Sequence, residues 1–240
     1  MKKIDSTNNF RVLQWIKLKD KAYRRSKKQF IVEGYHTVQE AYKTGCLVEV
    51  ITTENKNEFR DIETYVVRDD VMKKISSLAS PHKVIGICDM KQKSDYGNSI
   101  LMVDGISHPG NLGTIIRSAV AFNVDTIVVN DSVDVYNQKV IQATQGMIFH
   151  INIIKTSLEE CIDELKKKKY QIIGTDVREG VKLDDFKARE KHAVLMGSEG
   201  DGLTASLLNK CDVKINIEMN PKCESLNVGV ATGIILHHLK

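Results

Sequence analysis

The 240-residue sequence predicts an α/β protein: a mostly parallel sheet covered by helices, preceded by a small α/β domain. Three observations predict it. From residue 100 onward, short apolar segments alternate with helical ones, the pattern of strands joined by helical crossovers. The first 90 residues show the same alternation in shorter pieces. Between the two, residues 89–99 (DMKQKSDYGNS) are polar and carry no apolar period, which suits a linker. The expected division is therefore 1–92, a linker at 93–99, and 100–240.

The elements follow in order. A helix over 10–18 places Leu13, Ile16 and Leu18 near one face, and a strand at 30–32 follows a basic run. The spacing predicts a helix over 35–44, with Gly45 available for the left-handed closing residue. Strands are expected at 47–52, 65–67 and 84–88, with a helix over 69–78 capped by Asp69. In the second part, strands are expected at 100–103, 126–129, 151–154, 170–174, 193–196 and 213–217. Helices fall between them at 112–122, 138–144, 158–168 and 204–209, and a last one runs over 226–239. In such sheets ligands sit beyond the carboxyl ends of the strands.

Composition narrows the class. No window approaches ~18 uninterrupted apolar residues, so no membrane span is expected. The N-terminus, MKKIDSTNNF, is basic but lacks the apolar core of a signal peptide, so a cytoplasmic location is expected. The cysteines (Cys46, Cys88, Cys161, Cys211, Cys223) are odd in number and form no C-x-x-C pair, against a disulfide framework and a zinc site. Adjacent His237 and His238 diverge on a helix and cannot share a metal. No metal is expected.

Charge is uneven. Residues 1–96 hold 19 Lys+Arg against 13 Asp+Glu, whereas the remainder holds 16 against 18. The run KLKDKAYRRSKK gathers Lys17, Lys19, Lys21, Arg24, Arg25, Lys27 and Lys28 around a single acid. Such a run can neutralise several phosphates and release their counterions. A solvated helix face is the alternative.

Three loops that follow strands carry the chemistry. The first, VDGISHPGNLGTIIR, is a strand, a Gly/Pro-rich turn, and a helix opening at Asn111, whose side chain can cap it. Asn123 is placed to close that helix in the left-handed conformation. A dinucleotide fingerprint would need glycines at 108, 110 and 113, and position 108 is His. An ordinary turn explains the glycines but not a cation, Arg117, in an otherwise apolar helix. The second loop, LMGSEGDGL, lets backbone approach a ligand closely. Without a following Gly-Lys-Ser/Thr it is no Walker loop, and Glu199 and Asp201 would repel a triphosphate. A cationic or hydroxyl-bearing ligand, such as a sulfonium donor, fits better; a plain Gly-rich turn is the alternative. The third, INIEMNPKCESLNVGVATGIIL, ends a strand near Met219, with Ser225 as a natural cap of the last helix. Gly229 and Gly233 inside that helix each cost about 1 kcal/mol relative to Ala, which points to close packing on a helix partner or a dimer seam.

At these loops, PGNLGTIIR, VLMGSEGDGL and SLNVGVATGI in that order, the sequence resembles the SpoU (TrmH-like) RNA ribose methyltransferases of the SPOUT class. The resemblance covers the whole chain: 100–240 resembles the catalytic domain. The stretch KLKDKAYRRSKKQFIVEGYHTVQE resembles the family's small RNA-binding domain, whose fold is similar to RNA-binding ribosomal proteins. The resemblance implies a deep trefoil knot near the C-terminus, a homodimer with helices 112–122 and 226–239 near its seam, and S-adenosylmethionine as donor. It implies Gly197, Ile217, Leu226, Thr175 and Met219 as donor contacts, and Asn111, Arg117, Glu199, Ser225 and Asn227 as the polar catalytic group. It implies ribosomal RNA as the first substrate and transfer RNA as the second. A non-catalytic RNA-binding module and a nucleotide-dependent oxidoreductase are the competing classes.

Three positions depart from the family's pattern: His108 where Asp is usual, Asn123 where Gly is usual, and Ile217-Glu-Met-Asn-Pro221 where Ile-Pro-Met-x-Gly is usual. The family's proposed base is the residue matching Arg117. A guanidinium is effectively always protonated, so a clamp on phosphate or alkoxide, oriented by Asn111, is the preferred role. The proton would then leave through Glu199 or water. Removing residues 1–92 is expected to leave a folded dimer that still binds donor but loses RNA.

Overall fold

A computed structural model describes residues 1–56, 58–91 and 95–240. The chain divides into two units: the first is Met1–Lys91 together with Asp134–His150, and the second is the rest of the described chain. Five strands, β1 (Lys2–Ile4), β2 (Gln29–Glu33), β3 (Leu47–Thr52), β4 (Glu63–Val67) and β5 (Val84–Asp89), form the first sheet. Seven form the second: β6 (Ser99–Asp104), β7 (Thr126–Asn130), β8 (Asn152–Lys155), β9 (Gln171–Thr175), β10 (Val181–Lys182), β11 (His192–Met196) and β12 (Val213–Asn216). The helices are α1 (Phe10–Lys17), α2 (Lys21–Lys27), α3 (Tyr35–Lys43), α4 (Asp69–Ile75), α5 (Pro109–Ala121), α6 (Gln138–Thr144), α7 (Leu158–Lys167), α8 (Ala205–Asn209) and α9 (Val228–Leu239).

The first sheet has the order β1-β4-β3-β5-β2, with β1, β4 and β3 parallel and β5 antiparallel to both its neighbours. One face carries Ile31, Ile51, Ile85 and Ile87 against Val12, Trp15 and Leu18 of the α1 region and Val71, Met72 and Ile75 of α4. Alternate strand residues point the other way. There Phe30 meets Tyr136 at 4.7 Å and Phe149 at 5.8 Å between ring centroids, and α6 lies on β2. Residues 134–150, assigned from sequence to the catalytic part, therefore supply a face of the first unit. This corrects the truncation expectation, because cutting away the first 92 residues strips Tyr136 and Phe149 of the Phe30 ring they pack on.

The basic run is mostly helix. Asp20 caps α2 by accepting from the Tyr23 N–H at 2.8 Å, and Lys28 closes it with φ +53. Lys17, Lys21, Arg25, Lys27 and Lys28 are exposed. Arg24 is not: only 4% of its surface is accessible. Its guanidinium donates to the carbonyls of Leu18 (3.0 Å) and Lys19 (2.8 Å) and pairs with Asp134. Arg24 is thus a structural residue and not an RNA contact, because a buried fork with three acceptors has no face for phosphate. Lys19 is exposed but held, its ammonium donating to the carbonyls of Lys74 (3.2 Å) and Ser76 (2.8 Å). Arg24→Ala is expected to destabilise the protein by about 3 kcal/mol, since it leaves the Asp134 carboxylate unpaired in a largely buried place. Arg25→Ala should shift stability by no more than about 0.5 kcal/mol. Equal denaturation midpoints for the two variants would refute this assignment.

The second sheet is entirely parallel, in the order β10-β12-β9-β11-β6-β7-β8. Leu158, Cys161, Ile162 and Leu165 of α7 pack on Met102, Val128, Ile172, Ala193 and Leu195. Gly174 is required on β9, because a Cβ there would lie 2.7 Å from Cys211 Sγ. Burial pushes that thiol up to about 11, and all five cysteines are free. Part of the expected linker, residues 93 and 94, lies outside the described residues. The rest of it belongs to this unit: the N–H groups of Asn98 and Ser99 donate to Asp125 at 2.7 and 2.9 Å, and Tyr96 bonds Glu164.

Three expected helix starts shift. Pro109 occupies the first turn of α5 and His108 is its N-cap, without a side-chain bond, so Asn111 lies inside the helix and does not cap it. Proline is tolerated there because its missing N–H would be unpaired anyway. The cap of α9 is Asn227 and not Ser225: its side-chain oxygen accepts from the N–H of Gly229 (3.0 Å) and Val230 (3.3 Å). Arg68, without a side-chain bond, precedes α4, and Asp69 and Asp70 occupy its first turn. Gly45 and Asn123 take the left-handed conformation as expected, at φ +65 and +60.

Candidate active site

Parallel strands put all their carboxyl ends at one edge, and the order β12-β9-β11-β6 sets four loops side by side there. After β6, Gly105 turns with φ +67, its N–H donating to the Asn130 carbonyl at 3.2 Å, while the Ile106 N–H donates to Ser132 Oγ at 2.9 Å. After β11, residues 198–202 fold into a tight turn in which the Gly202 N–H donates to the Ser198 carbonyl at 3.1 Å. Gly197, at the foot of that turn, is buried, and a Cβ on it would stand 2.1 Å from the Gly202 carbonyl carbon. After β12, the chain turns at Asn220, whose carbonyl accepts from the Cys223 N–H at 2.8 Å and whose side chain accepts from Lys222 N–H at 3.0 Å.

The loops after β9, β11 and β12, together with α9, enclose a cavity of 490 Å³. Thr175, Gly197, Ile217, Met219 and Leu226 all line it, as do Glu199 and Ser225. Thr175 also clasps the sheet, its hydroxyl donating to the Leu195 carbonyl at 2.8 Å. Sequence reasoning missed Asp176, Arg178 and Glu224, which line the same space. The available signal was their position just past a strand's carboxyl end or inside the third loop. The unusual Glu218 pairs with Lys182 at 3.0 Å on the edge strand β10, and Pro221 is exposed.

The polar group divides in two. Asn227 Nδ2 donates to Asn111 Oδ1 at 3.1 Å, so the cap of α9 is tied to the first turn of α5. The two helices pack closely, with Thr114 Cγ2 3.1 Å from where a Gly229 Cβ would stand, whereas Gly233 has room. The helix partner anticipated for Gly229 is therefore α5. Asn111, Asn227 and Arg117 do not line the cavity, and the exposed Arg117 has no hydrogen-bond or ion partner among the described residues. No hydrogen bond joins Arg117 to Asn111, whose Oδ1 accepts from Asn227 instead. Among the described residues no cluster of three His, Cys, Asp or Glu groups could hold a metal ion, and no helix is long and apolar enough to cross a membrane.

Comparison with known proteins gives this arrangement a family. Residues 98–237 match the SpoU rRNA Methylase family, and residues 9–86 match the MRM3-like substrate binding domain. The 23S rRNA (guanosine(2553)-2′-O)-methyltransferase RlmP of Bacillus subtilis is 33% identical, with all of both chains covered. A putative TrmH family tRNA/rRNA methyltransferase of Staphylococcus epidermidis is 28% identical over 87% of this chain and 94% of its own length. The crystal structure of AdoMet-bound rRNA methyltransferase from Sinorhizobium meliloti superposes with a TM-score of 0.88 at 25% identity, covering 99% of this chain and 96% of that one. With the motifs it carries and the strand ends it sets side by side, this chain belongs to the SpoU rRNA methylase family and is an RNA ribose 2′-O-methyltransferase.

Proposed function

We propose that this enzyme methylates a ribose 2′-hydroxyl of ribosomal RNA, with S-adenosylmethionine as donor, in the cytoplasm, as a homodimer and without a metal. The observation that carries this reading is the cavity itself. Its volume lies within the ~300–1,000 Å³ of small-ligand pockets. Gly197 offers bare backbone, and Ile217, Met219 and Leu226 offer apolar contact for an adenine ring. The carboxylates of Glu199 and Asp201 suit the cationic sulfonium end. The donor supplies a methyl group already activated on positively charged sulfur.

What remains for the protein is to align the hydroxyl and to stabilise charge growing on its oxygen. Asn227 fixes Asn111 through its oxygen, which leaves the Asn111 amide N–H groups to donate to the ribose or its phosphate. Arg117, free and permanently charged, clamps the phosphate or the forming alkoxide. The proton leaves through Glu199 or water. Ser225, at the cavity rim, positions the donor loop.

The homodimer is supported by the α9 surface, where Val230 (52% exposed) and Ile234 (40%) stand unburied beside α5. Apolar side chains on one helix face suit an interface. The trefoil knot is supported by the order in which β12 lies outside β9 before α9 returns onto α5. The exposed lysines and Arg25 along Lys17–Lys28 hold the RNA backbone.

One experiment tests the core of the reading. Calorimetry in chelator should show one S-adenosylmethionine site per chain, and a 23S rRNA transcript should acquire a ribose-methylated nucleoside. In light scattering the same sample should have twice the 27.0 kDa of one chain. A strict need for Mg²⁺ or Zn²⁺ in donor binding, a base-methylated product, or a monomer would each remove the corresponding part.

A further inference from the structure

The first unit holds a second cavity, of 330 Å³, that methyl transfer does not use. Its wall begins where β2 passes into α3. Gly34 has φ +95, a left-handed value that favours glycine, and the His82 ring lies against it, 3.3 Å from where a Cβ would stand. Tyr35 comes next in the chain and is 50% exposed. Phe59 is buried below, its ring centroid 6.0 Å from that of Tyr35 and 5.4 Å from that of Tyr42. Two accessible aromatic rings, Tyr35 and His82, thus flank an apolar floor.

The rim is polar and of mixed charge. Lys83 donates to Glu54 at 2.8 Å, and that bond holds the Glu54 carboxyl below its usual range. A hydrogen bond to Glu58 raises the Tyr35 phenol above its usual range. The Glu54–Lys83 pair therefore stays charged at neutral pH, and the Tyr35 phenol stays neutral. Carboxylates can accept from the amino and imino N–H groups of a base edge, and lysines can neutralise phosphate. Aromatic faces stack on any base. An acidic peptide would meet the two glutamates, and an apolar one would leave the polar rim unused.

We propose that this cavity takes an unpaired nucleobase of the RNA substrate, stacked on Tyr35 and His82, with an amino-bearing edge at Glu54 and Glu58 and the adjoining phosphate at Lys56 and Lys83. The proposal rests on the reading that the chain acts on RNA, and it adds a base-reading subsite to a unit otherwise assigned only phosphate contact.

The test uses full-length protein and a labelled 23S rRNA transcript. Tyr35→Ala and His82→Ala should each weaken binding about tenfold or more, whereas Tyr35→Phe stays within about threefold of wild type. The salt slope should not change, because stacking releases no counterions. Binding within twofold of wild type in both alanine variants overturns the proposal. So does a Tyr35→Phe loss as large as that of Tyr35→Ala, which would make the bond to Glu58, and not the ring, the contributor. Should an alanine variant unfold, ultraviolet crosslinking of the wild type to 4-thiouridine-substituted transcript decides. Crosslinks at Tyr35 or His82 support the subsite, and crosslinks confined to α2 overturn it. A wild type that methylates the transcript leaves the enzymatic reading intact whatever the variants do. A wild type that neither binds nor methylates it overturns both.

Discussion

Arg117→Ala is expected to reduce the rate of ribose methylation by about a thousandfold and to leave the affinity for S-adenosylmethionine within a few-fold. The separation follows from geometry: Arg117 sits on α5, does not line the donor cavity, and has no partner among the described residues. A contact made chiefly in the transition state shows in the chemical step and not in ground-state donor binding. Arg117→Lys distinguishes clamp from base. Lysine keeps the charge but not the planar fork, so a clamp retains partial activity with no new ionisation in the pH profile. A base role instead survives with a shifted pH optimum, because lysine gives up a proton more readily. Wild-type turnover by Arg117→Ala would remove both roles.

Gly197→Ala should lower donor affinity by about 100-fold, the loss that about 3 kcal/mol of overpacking strain produces. The added Cβ would stand 2.1 Å from the carbonyl carbon of Gly202 and 2.2 Å from its oxygen. Both are backbone atoms, so no rotamer change relieves the clash and the turn at 198–202 must shift as a body. Calorimetry reads the loss, and a nearly unchanged thermal midpoint would show that the damage is local. Donor affinity equal to wild type would mean that this backbone is not a wall of the donor site.

Much of the fold was legible because local pattern and tertiary role agreed. Every expected strand is found within about two residues of its place, and α6 has the expected bounds. The missed strands are short. β1 has three residues and β10 only two, and each exists because a neighbouring strand offers an edge. The start of α9 was misjudged because two capping residues stand close together. Asn227 outcompetes Ser225 because its two-ended side chain bonds the helix N–H groups and Asn111 together.

The site was legible as three loops, not as a shape. From the sequence by itself came the α/β class, the two-part charge distribution, and the residues of the three strand-terminal loops, all set by periodicity and short-range chemistry. Only the tertiary structure decided which of them meet. Thr175, Gly197, Ile217, Met219 and Leu226 share one cavity because strand order brings β12, β9 and β11 together, and strand order is a long-range property with no local trace. The same holds for Arg24. In the sequence it is one cation among seven, yet Asp134, 110 positions away, pairs with it and removes it from the surface. Residues 134–150 joined the first unit for a similar reason, since a Phe30 ring buried against Tyr136 and Phe149 is chosen by packing and not by proximity in the chain.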